Sequence, residues 1–335
     1  MEVLITGATG FIGSVLARRC ADIGHNVTAL GQTNNDWESR HAENLQRIGI
    51  EVLVGSILDE SVLKAACSGK DAVIHLAAAQ HESKASMDFF HDVNVNGTRN
   101  VLEASVRAGV NRFVQGSTIG VYGCASGQPL NEDSPLRPDN VYGKTKLEGE
   151  RVARAYSDKI GVSIARISET YGPEDKRLLT LFRGIDKGWF PLVGSGKNRH
   201  QPIFVNDLAD SLIDIASGDA TVGEIINLAG PAPVSTIDMI HDVEHAAGHD
   251  SHIVHVPMMP FIGAAILMEK LFPPLGLTPP LTQRRLDFFR KEFWFDTSKS
   301  LRLLGNGAKT DFELGAMATM EWYKSNGLIA EHGHR

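Results

Sequence analysis

Thr6-Gly7-Ala8-Thr9-Gly10-Phe11-Ile12-Gly13 follows a short apolar run at 3–5 and opens an amphipathic stretch at 11–23. This is a strand, a tight turn and a helix in immediate succession. Gly7 permits the tight turn, Gly10 lets the backbone approach a pyrophosphate, and Gly13 allows close contact of helix and sheet. The unpaired N–H groups at the start of the helix then face the anion. Glycines alone mark any turn; their place between the first strand and the first helix points to a dinucleotide.

Outward from this turn, β-branched runs at 26–30, 52–55, 72–77, 112–117 and 162–167 alternate with helix-length segments, among them 86–108 and 142–157. The runs are continuously apolar rather than alternating, as in a parallel sheet covered on both faces. This predicts an α/β fold with a doubly wound parallel Rossmann-type sheet. The dinucleotide-binding domain is expected over 1–167, with 201–230 returning to it through a strand at 224–229. Loop-rich segments at 194–196, 230–233 and 272–280, and a last helix at 311–326, place a smaller, mostly helical substrate lobe at 168–200 and 231–335. Ligands bind beyond the carboxyl ends of the strands, in the cleft between the two.

The chain has 335 residues, 42% of them hydrophobic, and a formal net charge of -7. That length supports a buried core without disulfides or structural metal. The acidic balance weighs against nucleic acid as a partner. Cys20, Cys67 and Cys124 are odd in number and widely spaced, which fits a reducing compartment. The apolar run 256–268 contains two prolines and is shorter than the ~20 residues of a membrane span, so no span is expected. No signal peptide is visible, and a cytoplasmic protein is the expectation.

Tyr142 and Lys146 are four residues apart, so one helical turn stacks them on one face. A free tyrosine, with a pKa of ~10, is a poor base near neutrality. An adjacent ammonium favours the phenolate, which can take a proton from a hydroxyl or return one to a ketone.

Several further segments occur in family order: His75-Leu76-Ala77-Ala78, Asn94-Val95-Asn96-Gly97-Thr98, Val121-Tyr122-Gly123, Tyr171-Gly172-Pro173 and Val205-Asn206-Asp207-Leu208-Ala209. Together with the glycine turn and the Tyr-Lys pair, they resemble the extended short-chain dehydrogenase/reductase superfamily over nearly the whole chain. The resemblance implies a catalytic triad of Thr118, Tyr142 and Lys146, with Ser117 as the neighbouring alternative to Thr118. It implies cofactor contacts from Gly7, Thr9, Gly10, Phe11, Ile12, Gly31, Gln32, Ser56, Ile57, Leu76, Ala77, Ala78, Asn94, Tyr142 and Lys146, with Asn94 orienting Lys146 through water. Ala79, Thr118, Glu169 and His200 fall at substrate positions. The cofactor is NAD or NADP, because Leu30-Gly31-Gln32-Thr33-Asn34 carries neither the acid that favours the first nor the base that favours the second. Relatives commonly form homodimers through the helices at 86–108 and 142–157, so a homodimer is expected.

Three departures bear on chemistry. Ile119-Gly120 stands where sugar-nucleotide 4,6-dehydratases carry an acidic pair, so that elimination is not expected. Glu169 and His200 stand where nucleotide-sugar epimerases usually have Asn and Arg against the diphosphate, and a carboxylate there repels phosphate. The alternative is that Glu169 turns away toward Arg166 or Lys176. Third, the stretch 257–295 resembles the 3β-hydroxysteroid dehydrogenase-like branch, whose lobe covers an apolar substrate; an ordinary core helix is the other reading. The expected activity is therefore NAD(P)-dependent hydride transfer to or from a secondary alcohol or ketone. The alternative is a UDP-sugar epimerase with the same triad and tightly bound NAD. A sensor of dinucleotide redox state would not need the full triad.

His241 and His245, with Glu244, fit a zinc spacing on one helical face, but no third ligand is suggested. His252, His255, His332 and His334 add none, and no metal is expected.

Overall fold

Seven strands form one sheet: β1 (Glu2–Thr6), β2 (Asn26–Gly31), β3 (Glu51–Val54), β4 (Ala72–His75), β5 (Arg112–Thr118), β6 (Gly161–Ile167) and β7 (Ile225–Leu228). Their order is β3-β2-β1-β4-β5-β6-β7, and every pairing is parallel. This computed structural model describes residues 1–80, 86–124, 127–275, 277, 279–305 and 307–330; His332 and His334 lie outside them. The fold is the doubly wound α/β sheet expected from the alternation of runs.

The continuous apolar runs have a direct cause. Along β1, Leu4 faces a core with Leu30, Val73, Phe113, Leu63 and Leu102. Its neighbour Ile5 faces a second core with Ala29, Ile74, Val114, Leu16 and Leu208. Both faces are covered, so apolar side chains recur at both parities.

The covering helices are α1 (Phe11–Asp22), α2 (Asp36–Arg47), α3 (Glu60–Cys67), α4 (Gly97–Ala108), α5 (Val141–Arg154) and α6 (Val205–Ser217). One departure from the expected 86–108 helix matters for the site. A turn of π-helix at Asp92–Asn96 separates Met87–His91 from α4. Such widened turns reorient side chains and recur at functional positions; this one carries Asn94.

The lobe is less purely helical than expected. It contains a parallel pair, Trp189–Val193 with His252–Val256, and an antiparallel pair, Arg199–His200 with Val234–Ser235. Tyr171, Phe182, Met239, Met320 and Tyr323 form its core. The helix Met258–Leu271 lies on the surface, with only Ala265 fully buried and Met259 75% exposed. None of its residues is among those that line the cleft described below.

Candidate active site

The glycine turn has the geometry that its residues dictate. Gly7 has φ +70°, and a Cβ there would lie 2.7 Å from the Ala77 nitrogen, so the backbone after β4 passes against it. A Cβ at Gly13 would collide with the Gly7 carbonyl oxygen. Gly10 is the extended N-cap of α1 and offers no side chain to its first N–H groups. These donors are therefore directed to whatever occupies the cleft. The cradle fits a dinucleotide pyrophosphate.

The cleft has a volume of about 690 Å³. Of the cofactor positions named above, Gly7, Thr9, Gly10, Phe11, Ile12, Gly31, Gln32, Ser56, Ile57, Leu76, Ala77, Ala78, Tyr142 and Lys146 line it, and so does Thr118. At the end beyond β2, Asn35, Trp37, Glu38 and His41 join them. The Asn35 side chain accepts from the Trp37 and Glu38 N–H groups, and Glu38 accepts from the Asn34 N–H at 2.7 Å. This is a capping arrangement with a carboxylate three residues after the cap. A carboxylate therefore stands at this end of the cleft just outside the five residues read for it; the Asn35-x-x-Glu38 spacing was the signal available.

At the other end, Asn140 caps α5 by accepting from the Gly143 N–H, which starts the helix just before Tyr142. Lys146 is 2% exposed. Burial lowers its pKa to about 8, and the Glu150 carboxylate one turn on works in the opposite direction. Glu150 is itself held by Arg166 through two hydrogen bonds, at 3.0 and 2.9 Å, and by the Ser117 hydroxyl at 2.5 Å. The Ser117 hydroxyl is thus committed to Glu150, and Thr118 is the hydroxyl at the strand end. Its Oγ1 accepts from the Gly120 N–H. His75, next to Lys146, is pushed down to about 3 by burial and by the lysine charge, so it stays neutral.

Four expected positions differ. Asn94 does not line the cleft: it accepts from the Ala79 N–H and donates to the Ala79 carbonyl and the Thr145 hydroxyl. Its polar atoms brace the loop after β4 against α5, one residue from Lys146, and are not turned to the lysine. Ala79 is 2% exposed and held by those same bonds, so its side chain offers no substrate contact. Glu169 and His200 lie outside the cleft lining and meet each other: His200 Nδ1 is 2.9 Å from Glu169 Oε2. Glu169 therefore pairs with neither Arg166 nor Lys176. The Arg199 guanidinium lies 4.0 Å over the Trp294 ring.

The lobe also reaches the nucleotide half. Glu174 is the only non-glycine residue with positive φ (76°) among the described residues. Its carboxylate meets Arg18 at 2.8 Å and His41 at 3.2 Å. Lys176 lies 4.0 Å over the Trp37 ring, and Arg177 is held by Asp175 and the Thr170 carbonyl. Glu174, Asp175, Lys176 and Arg177 all line the cleft. Charged and aromatic residues of this kind read as surface in a sequence, and their partners are remote in the chain.

Among the described residues no group of three His, Cys, Asp or Glu side chains could hold a metal ion. His241 pairs with Glu244, whereas His245 pairs with Glu313. Cys20, Cys67 and Cys124 are not joined in disulfides, and no described helix is long and apolar enough to cross a membrane.

The family model described as "NAD dependent epimerase/dehydratase family" matches residues 3–229. A dTDP-glucose 4,6-dehydratase of Streptomyces griseus is 32% identical over 266 residues, covering 74% of this chain and 79% of that protein. The N-acetyl-alpha-D-glucosaminyl-diphospho-ditrans,octacis-undecaprenol 4-epimerase of Escherichia coli O157:H7 is 28% identical over 262 residues, 76% of this chain and 75% of its own. Among solved structures, DesIV, a dTDP-glucose 4,6-dehydratase from Streptomyces venezuelae with NAD and TYD bound, is 27% identical with a TM-score of 0.78, covering 98% of this chain and 99% of that one. The resemblance of 257–295 to the 3β-hydroxysteroid dehydrogenase-like branch rests on its residues alone.

Proposed function

This chain belongs to the NAD dependent epimerase/dehydratase family, and we propose that it epimerises a nucleotide-linked sugar, oxidising and re-reducing one secondary alcohol carbon with NAD retained throughout. When bound, NAD supplies the hydride acceptor and donor. Gly10, Phe11 and Ile12 hold the pyrophosphate on the α1 N-terminus. Glu38 and Gln32 at this end of the cleft favour a ribose hydroxyl over a 2′-phosphate. Thr118 orients the substrate oxygen, Tyr142 takes its proton and later returns it, and Lys146 stabilises the phenolate.

The observation that carries the choice of epimerisation over net oxidation is the loop 174–177. It ties α1 and α2 to the lobe across the cofactor cleft, at the cost of a left-handed residue worth about 1–3 kcal/mol. A cofactor enclosed in this way is suited to regeneration in place. The dTDP-glucose 4,6-dehydratase among the relatives supports a nucleotide sugar as substrate, and the undecaprenol-linked relative supports epimerisation of a sugar carried on a diphosphate. Ile119 and Gly120 lack the proton-transfer groups that dehydration needs, which separates this chain from the dehydratases among them. Co-purified NAD, with nucleotide sugar converted to its epimer and no net NADH, tests the reading.

We also infer a cytoplasmic homodimer. Two buried free thiols, Cys20 and Cys67, suit a reducing compartment. Met87 and Phe89 stay exposed on the helix preceding α4, available to a partner. Sedimentation as a monomer at micromolar concentration contradicts the dimer.

A further inference from the structure

The helix Met258–Leu271 is apolar on two faces, and only one of them is covered. The inner face carries Met258, Phe261, Ile262 and Ala265, which pack with Val193, Leu286 and Phe289. The outer face carries Met259, Ile266, Leu267 and Leu271, all exposed. With Gly263 and Lys270 between them, these positions recur at helical spacing and make one stripe. Leu275, 71% exposed, and Leu277 extend the run of open apolar side chains along the chain. Apolar side chains gathered this way mark a contact surface, whereas single exposed ones do not. The charges around the stripe are lopsided. Over 258–290 four basic residues stand against two acidic ones, in a chain of net charge -7. Both acids are engaged. Glu269 accepts from the Gln283 N–H and side-chain amide at 2.9 and 2.8 Å, and Asp287 pairs with Arg290 and Lys291. Lys270 is exposed in the middle of the stripe and makes no ion pair among the described residues.

We propose that this outer face docks on an anionic phospholipid surface, lying in the plane of the headgroups without crossing the bilayer. The helix has 14 residues, about 21 Å at 1.5 Å per residue, which is short of the ~30 Å hydrocarbon core. It can therefore lie at the interface and cannot span it. Met259, Ile266, Leu267 and Leu271 enter the boundary between headgroups and acyl chains, while the Lys270 stem lies along them and its ammonium reaches a lipid phosphate. The inner face stays on the core of the lobe, so docking requires no unfolding. A second copy of this chain is the poorer occupant. A two-fold contact through the stripe carries both Lys270 ammonium groups into one apolar seam, where neither Glu269 nor Asp287 is free to meet them. Lipid phosphate supplies the missing anion. The docking is independent of which substrate the cleft takes.

Co-sedimentation of the full, NAD-loaded chain with vesicles tests this. Vesicles of phosphatidylcholine and phosphatidylglycerol in equal parts should bring the protein down, vesicles of phosphatidylcholine alone about tenfold less, and added salt should release it. Leu267→Gln combined with Leu271→Gln should cut binding about tenfold or more, and Lys270→Glu about tenfold. All three side chains are exposed, so the melting curve should not move; Lys270→Glu alone carries the test if the leucine pair lowers it. A wild type that stays in the supernatant with the mixed vesicles overturns the proposal. So does equal binding to both kinds of vesicle, or undiminished binding by folded Lys270→Glu or by the folded leucine variant. Sedimentation velocity without lipid tests the competing occupant. A wild-type dimer that the leucine pair converts to monomer shows a contact between copies and overturns the lipid assignment.

Discussion

His41 Nε2 and Glu174 Oε2 lie 3.2 Å apart, joining the second helix of the nucleotide half to the loop that enters the lobe. The same carboxylate takes Arg18 from α1, so one strained side chain fastens two helices to the far wall of the cofactor cleft. Opening the cleft to release a dinucleotide means breaking these contacts together.

Glu174→Ala keeps the left-handed backbone and removes all of its ties. Bound NAD should then dissociate about tenfold faster or more, which corresponds to ~1.4 kcal/mol. The amount of NAD surviving gel filtration, with and without the substitution, measures this. Equal retention means that the loop is not what holds the cofactor.

Tyr142→Phe should lower turnover ~10²-fold or more and leave NAD affinity nearly intact, since only the proton transfer is lost. Lys146→Met should damage both. Calorimetric titration with NAD beside turnover rates separates the two effects. Wild-type turnover in Tyr142→Phe rules out the assigned base.

The lysine also sets an alkaline limit. It is charged below about pH 8 and loses its proton above it, so stabilisation of the phenolate fades as pH rises through that value. kcat/KM should therefore fall on the alkaline side of about 8. The Glu150 carboxylate raises the lysine pKa, so Glu150→Gln should move this limb to lower pH. Breaking the buried pair with Arg166 costs about 3–5 kcal/mol, so a melting curve belongs beside the profile. A limb that stays in place in folded Glu150→Gln removes this electrostatic link.

His75 gives the opposite end of the pH range. In the folded chain it binds a proton only near pH 3, against an ordinary value of 6.5. The unfolded chain thus takes up the proton first as pH falls. The stability present above 6.5 is lost progressively toward 3, by up to ~5 kcal/mol. His75→Gln loses bonds to Thr6 and Thr98 and should be the less stable at neutrality. Its deficit in urea midpoint should shrink steadily toward about pH 4. A constant deficit shows that His75 is not buried neutral.

Much of this was legible in the chain because it is local. The six strands before the lobe are contiguous apolar runs, and their ends fall within two residues of the sequence reading; β4 stops early, at His75, where the backbone turns over Gly7. Tyr142 and Lys146 are one helical turn apart whatever surrounds them. What was hidden depends on partners far away in sequence. Glu169 has three basic candidates, and the one it meets is His200, because Arg166 is spent on Glu150 and Tyr122. The loop 174–177 reads as charged surface until α1 and α2 are folded against it. The helix Met258–Leu271 is apolar on every side, so periodicity cannot say which face is covered.

The account turns on hydride leaving and returning to the same bound cofactor. The most direct test follows NADH absorbance in the purified, NAD-containing protein after adding UDP-glucose or dTDP-glucose, with the sugar analysed at the end. The prediction is a small NADH signal that appears, stays below one equivalent and vanishes as substrate is removed, with an epimer as the product and no signal in Tyr142→Phe. NADH that accumulates in step with an oxidised product, or a sugar nucleotide left unchanged by enzyme with NAD bound, contradicts it.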